Sequence, residues 1–252
     1  MSGSIPSLEI DGVLATVRLE RPEQANRLEE ADLTALLACF ERIEADPRIR
    51  VVLLRSTGKY FCAGYNLGDL EVGGDASSFE RVADALENLR PLTIAEVQGG
   101  VYGGASDLLL ACDFRLGGPA AEVLMPAARF GLHLYGGLLE RYVSRLGLNA
   151  AKRLIFGCEK LKAGEMLELG LLTHLYGSAE QLEDGGAALA GHLAALAPLA
   201  ATGMKRHLNS IARGALDREA LQADIRRCAT SADLREGLQA QREKRPPVFR
   251  GE

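Results

Sequence analysis

KYFCAGYNL, residues 59–67, follows four apolar β-formers, Val51, Val52, Leu53 and Leu54, and contains a small-residue turn at Ala63-Gly64. Some forty residues further on, QGGVYGGASD at residues 98–107 repeats the arrangement: a strand-like run, a glycine-rich turn, then an apolar run that reads as a helix. Glycine at a strand end lets the backbone approach a ligand closely, because no Cβ stands in the way. Peptide N–H groups at a helix start favour negative charge. Two such turns facing one another would stabilise an anion with backbone groups alone.

The wording and order of the pair resemble the crotonase (enoyl-CoA hydratase/isomerase) superfamily. FCAGYNL is similar to its first motif, F-x-A-G-x-D-L, with Asn66 at the aspartate. VQGGVYGGASDLLLACDFRL is similar to its second, with Ala105 at a glycine and Asp107 at the glutamate. LERPEQANRL at 19–28 and EGLQAQREKRPPVFRG at 236–251 resemble the family's opening and closing motifs, so the resemblance runs over nearly the whole chain. It implies an α/β fold, a crotonase-like spiral of ββα turns with a helical C-terminal module, split here into residues 1–195 and 196–252. It implies an acyl-CoA substrate, with coenzyme A as part of that substrate and no separate cofactor or metal, and a homotrimer or a dimer of trimers. Carried onto the matching residues, the two donors to a thioester enolate are the N–H groups of Tyr65 and Gly104. Gly103 leaves room for the carbonyl, and Ala63 and Gly64 sit toward the pantetheine.

Hydratases of this kind use two glutamates. Asp107 stands at the first place. The second falls near Ala127, in MPAARFG, and alanine transfers no proton. The loop GLHLYGG at 131–137 offers His133, an imidazole that titrates near neutrality, and Tyr135, a phenol able to donate a hydrogen bond. The superfamily's methylmalonyl-CoA decarboxylases have a tyrosine close to this position, and decarboxylation needs an enolate site but no base. The first reading is therefore hydratase or isomerase chemistry. The alternatives are decarboxylation, thioester hydrolysis by a water held by Asp107 and His133, and acyl-CoA binding without catalysis.

Composition sets the frame. The 252 residues allow one large domain or one with a small appendage. A net charge of −5 and the absence of Trp argue against nucleic acid as a general partner. Five scattered cysteines with no C-x-x-C pair argue for reduced thiols in a cytoplasm, and Cys62 reads as a packing residue. No apolar run is long enough to span a membrane, and the first six residues carry no leader pattern.

Along the chain, Asp11-Gly12 reads as a hairpin turn. Leu33, Leu36, Leu37, Phe40 and Ile43 recur at helical spacing over 29–45. Strands at 51–55, 93–97 and 114–116 alternate with helices at 78–90 and 103–112, which predicts a parallel βαβ arrangement. Residues 70–78, glycine-rich and acidic, read as a mobile loop. The second half is helical, with a break near Ser231 in its last long amphipathic run.

Overall fold

The computed structural model describes residues 4–66, 68 and 77–252. Among the described residues nine strands run in chain order: β1 Ser4–Asp11, β2 Leu14–Glu20, β3 Val51–Ser56, β4 Leu92–Val97, β5 Gly100–Tyr102, β6 Phe114–Gly117, β7 Glu122–Leu124, β8 Leu161–Lys162 and β9 His174–Leu175. Among the described residues there are ten α-helices. Those of the first half are α1 Glu30–Ala45, α2 Ser77–Asn88, α3 Ala105–Ala111 and α4 Gly136–Leu146. The others are α5 Leu148–Ile155, α6 Ala163–Glu168, α7 Ala179–Ala194, α8 Pro198–Ala212, α9 Arg218–Ala229 and α10 Ala232–Glu243.

The hairpin at Asp11-Gly12 joins β1 to β2 antiparallel, and every later pairing in the main sheet is parallel, in the order β1-β2-β3-β4-β6-β9. Parallel neighbours need a crossover between them, and here helices supply it. A second, three-stranded sheet, β5-β7-β8, grows from the second glycine stretch. The stretch expected as a loop at 70–78 lies outside the described residues up to 76, and Ser77 and Ser78 begin α2 rather than ending a loop.

Strand β3 shows why the sheet is fixed in register. Val51 and Leu53 pack with Ile94, Leu116, Leu182 and Leu193 under α7, while Val52 and Leu54 face the larger core with Leu33, Leu36, Phe40 and Ile43 of α1. Alternate residues thus serve opposite faces, and both faces are covered, as parallel strands require. A one-residue slip would exchange the two sets. Truncating a side chain such as Ile94, with no exposure, is expected to cost about 2–5 kcal/mol. α1 presents Leu33, Leu36, Phe40 and Ile43 to the core with Leu37 at its margin, and the Asp32 carboxylate accepts the Glu29 N–H at 2.9 Å to close its first turn.

The second half is helical, and its last long run breaks between α9 and α10. There Ser231 caps α10, its Oγ accepting the Leu234 N–H at 3.0 Å.

Candidate active site

The first glycine turn hangs from β3 and is held by a residue of the opening motif. Asn26 is 1% exposed. Its amide nitrogen donates to the carbonyls of Thr57 (2.8 Å) and Tyr60 (2.9 Å), and its oxygen accepts the Arg21 N–H at 2.9 Å. The second stretch is stitched alongside. Phe61 and Cys62 N–H donate to Gly100 O at 3.0 and 3.2 Å, and Tyr102 N–H donates to Cys62 O at 3.0 Å. At Gly64 the two turns touch. Its φ is +84°, and a Cβ there would stand 2.5 Å from Tyr102 O and 3.2 Å from Gly104 N. Only glycine fits, on both counts.

Peptide geometry then aims the two N–H groups. Leu28 N–H donates to Gly64 O at 2.8 Å, and in a trans peptide the N–H points opposite to the C=O, so the Tyr65 N–H points away from Leu28. Gly103, at φ +54°, turns its carbonyl toward Ser106, where it accepts the N–H (3.0 Å) and the Oγ–H (2.7 Å). The Gly104 N–H therefore points out of the first turn of α3, and among the described residues no acceptor pairs with it. Phe79 of α2 roofs this spot. Its ring lies 3.1 Å from where a Gly104 Cβ would be, and Tyr65 packs edge-on against it at 6.3 Å. Ala63 is anchored by its N–H to Ala25 O at 2.9 Å.

The carboxylate of Asp107 is fully buried and held at both oxygens. Arg141 grips both oxygens, Nε to Oδ1 at 2.7 Å and Nη2 to Oδ2 at 2.8 Å, and the Tyr135 hydroxyl donates to Oδ2 at 2.6 Å. Burial pushes the Asp107 carboxyl up, and the Arg141 guanidinium and the Tyr135 hydroxyl pull against that. Arg141 donates to both oxygens and cannot accept, so its grip fits the ionised form. Burial first, then the Asp107 charge, hold the Tyr135 phenol well above its ordinary value, which keeps it a hydrogen-bond donor.

Of the sequence candidates, the structure thus brings together Tyr65 with Gly104 and Asp107 with Tyr135. His133 stands apart: it is exposed, and its Nδ1 meets Leu134 O at 2.7 Å, a contact that requires the hydrogen on Nδ1 because a carbonyl only accepts. The oxygens of Asp107 are taken by Tyr135 and Arg141, not by His133. Ala127 is buried in a short 3₁₀ turn. Cys62 is also buried, its thiol donating to Asn26 O at 3.0 Å, and burial pushes that thiol up to about 12.

Asp84, Glu87 and Arg141 are not among the sequence candidates. Arg141 is 2% exposed, and its Nη1 also donates to Asp84 (2.7 Å) and Glu87 (2.9 Å). The signal was present. α2 buries Phe79, Val82, Ala83 and Leu86 at helical spacing, and Glu87 continues that face. α4 buries Leu138, Arg141 and Tyr142 on one face. A charged residue on an apolar stripe must find a partner or neutralise, so two opposite ones, one on α2 and one on α4, are a candidate pair.

The sequence profile of the enoyl-CoA hydratase/isomerase family matches residues 9–252. The enoyl-CoA isomerase/hydratase fer4 of Mycosarcoma maydis is 31% identical over 265 residues, covering 97% of this chain and 95% of that protein. The mitochondrial methylglutaconyl-CoA hydratase of Mus musculus is 29% identical, covering 95% of this chain and 80% of its own. The crystal structure of an enoyl-CoA hydratase from Bacillus anthracis superposes with a TM-score of 0.89 at 28% identity, over 99% of this chain and 100% of that one.

Proposed function

The chain belongs to the enoyl-CoA hydratase/isomerase family and is an enzyme of its lyase/isomerase kind, and from that premise we propose that it processes an acyl-CoA through a thioester enolate held by backbone groups. The thioester oxygen sits between the N–H groups of Tyr65 and Gly104, where negative charge collects as a bond to the α-carbon breaks. Ala63, Gly64 and Gly103 give the thioester and pantetheine a close approach. The observation that carries this reading is the contact of the two glycine turns across Gly64, which puts the Gly104 nitrogen 3.2 Å from where a side chain would begin. Preorganised donors of this kind are worth about 10²–10³ in rate each.

The state of Asp107 favours a second reading, decarboxylation. A two-carboxylate hydration needs a group free to take and return a proton. Here one carboxylate is gripped by Arg141 and Tyr135, and the other place holds Ala127. Loss of CO2 from a malonyl-type ester needs the enolate site and no base. A mass-resolved turnover screen with crotonyl-, 3-enoyl-, hydroxyacyl- and methylmalonyl-CoA separates the two. Water addition or double-bond migration supports the first reading, and loss of CO2, about 44 mass units, supports the second. Free CoA release, or binding without turnover, would remove both.

The same reading has the chain working as a homotrimer or a dimer of trimers. Met204, Leu208 and Ile211 of α8, each more than half exposed, offer an apolar face for such packing. Light scattering on the eluting protein tests it.

A further inference from the structure

Glu87 is a hub between two parts of the molecule. From the catalytic side it receives Arg141 Nη1 at 2.9 Å. From the same helix α4 it receives Arg145 at 2.8 Å, and from the helical side Arg213, the C-cap of α8. Asn209 of α8 adds a hydrogen bond from its amide to the Glu87 carbonyl (3.2 Å) and accepts Arg145 at 3.0 Å. A continuous path of hydrogen-bonded charges therefore runs from the end of α8 through Glu87, Arg141 and Asp107 to the Tyr135 hydroxyl.

We propose that Arg141 and Glu87 are positioning residues, and that the docking of α8 on the core sets the Tyr135 phenol through them. The proposal rests on the reading of Tyr135 as part of the acyl site. Three features argue for it. The inner members are nearly inaccessible, with Asp107, Arg141 and Glu87 at 0, 2 and 2% exposure. The charges balance, Arg141, Arg145 and Arg213 against Asp84, Glu87 and Asp107, so the removal of any one leaves its partners to re-pair. Four of the guanidinium donors are engaged in a fixed fork: Arg141 Nε and Nη2 hold the two oxygens of Asp107, while Nη1 is held by Asp84 and Glu87. A planar guanidinium tied at one end cannot turn at the other. Buried ion pairs seldom stabilise a fold better than apolar packing would, so what such a network gives here is a defined geometry.

The test uses the whole chain labelled with 13C at the tyrosine Cζ, whose shift reports the hydrogen bonding of the phenol. The protein has six tyrosines, and Tyr135→Phe identifies the resonance of Tyr135 by its loss. Arg213→Met lies at the far end of the path and near the surface; Glu87→Gln lies in its middle; Arg213→Lys restores the charge. The Tyr135 resonance is expected to move in Arg213→Met and Glu87→Gln and to return toward its original place in Arg213→Lys, while those of Tyr60, Tyr102 and Tyr176 stay. If Glu87→Gln does not fold, Arg213→Met decides alone. A Tyr135 resonance unmoved by Arg213→Met in folded protein overturns the proposal. Turnover of whichever CoA ester the protein accepts gives the second readout. Arg213→Met should lower kcat about tenfold to a hundredfold with little change in KM, and lower it no further once Tyr135→Phe is present. Additive losses would overturn the relay. A Tyr135→Phe variant with full turnover would instead remove the reading of Tyr135 as part of the site, leaving the resonance shift to judge the relay by itself.

Discussion

The two halves of the candidate site are built from different material. One half is backbone: the peptides at Tyr65 and Gly104, aimed by the Leu28–Gly64 and Gly103–Ser106 hydrogen bonds. The other half is side chain: Asp107, Arg141 and Tyr135, braced by Asp84 and Glu87 and drawn from α2, α3 and the start of α4, up to 57 positions apart. The backbone half depends on residues that are small, so its identity is written in short motifs. The side-chain half depends on charges that meet only after the helices pack. The two halves should therefore fail in different ways.

The largest effect is expected from the side-chain half, and it is an effect on stability. Arg141→Met leaves Asp107 and Glu87 buried without their shared cation. Breaking a buried pair from one side costs about 3–5 kcal/mol, because the stranded charge has no solvent to return to. Urea denaturation should show that loss, and adding Asp107→Leu to Arg141→Met should recover part of it. A loss under about 1 kcal/mol, the scale of an exposed pair, would mean that the network is not holding the helices together.

Gly64→Ala attacks the backbone half and should act first on rate. The new Cβ meets Tyr102 O at 2.5 Å at a φ of +84°, so the two turns must separate or twist. Loss of one oxyanion donor predicts a fall in turnover of about 10²–10³, against a stability cost of about 1–3 kcal/mol for a strained residue. Near-normal turnover of an accepted CoA ester by folded Gly64→Ala would break the claim that the two N–H groups are positioned by this contact.

This division also explains what could be read in advance. The parallel strands followed from their apolar runs, and the glycine turns from their motif wording. Asn66 and Ala105 departed from the family's pattern without displacing either turn, since neither supplies the N–H in question. The motif around Asn26 was recognisable by resemblance, but its purpose, an amide that clamps two carbonyls 31 and 34 residues away, emerges only from the packed chain. Asp107 was visible as a carboxylate, yet its partners were not, because nothing local ties residue 107 to residue 141. Inward-facing charges on α2 and α4 were the available clue, and helical spacing read for apolar residues alone passes over them.

Within the backbone half a smaller effect tests how tightly the first turn is packed. Cys62 donates its thiol hydrogen to Asn26 O and receives the Gly64 N–H at 3.4 Å on its sulfur, and burial pushes its pKa up to about 12. Since the thiolate is the nucleophile, a thiol held this far up stays protonated and unreactive at pH 8. Iodoacetamide followed by mass spectrometry should label the half-exposed Cys228 and leave Cys62 unmodified until the protein unfolds. Labelling of Cys62 in native protein would show that the first turn opens readily and that its N–H is not preorganised.

The smallest effect concerns the charges that border the second turn from outside. Glu122 takes hydrogen bonds from Lys162, from the Tyr102 hydroxyl at 2.5 Å and from Lys160 at 2.9 Å, and these hold its carboxyl down to about 2 from an ordinary value near 4.5. The folded pKa lies below the unfolded one, so this contribution to stability is fully present above about pH 4.5 and is lost as the pH falls toward 2. The lysine side chains are 47 and 69% exposed, so water and salt screen the attraction and the slope is shallow. A Lys160→Met/Lys162→Met variant should lose stability less steeply than the parent between pH 4.5 and 2, while its turnover at neutral pH stays unchanged. Equal slopes would show that the lysines do not set the Glu122 pKa. A fall in turnover at neutral pH would show that the second turn borrows its geometry from side chains after all, and the division between the two halves would have to be redrawn at Tyr102, the residue that belongs to both the glycine stretch and the ionic cluster.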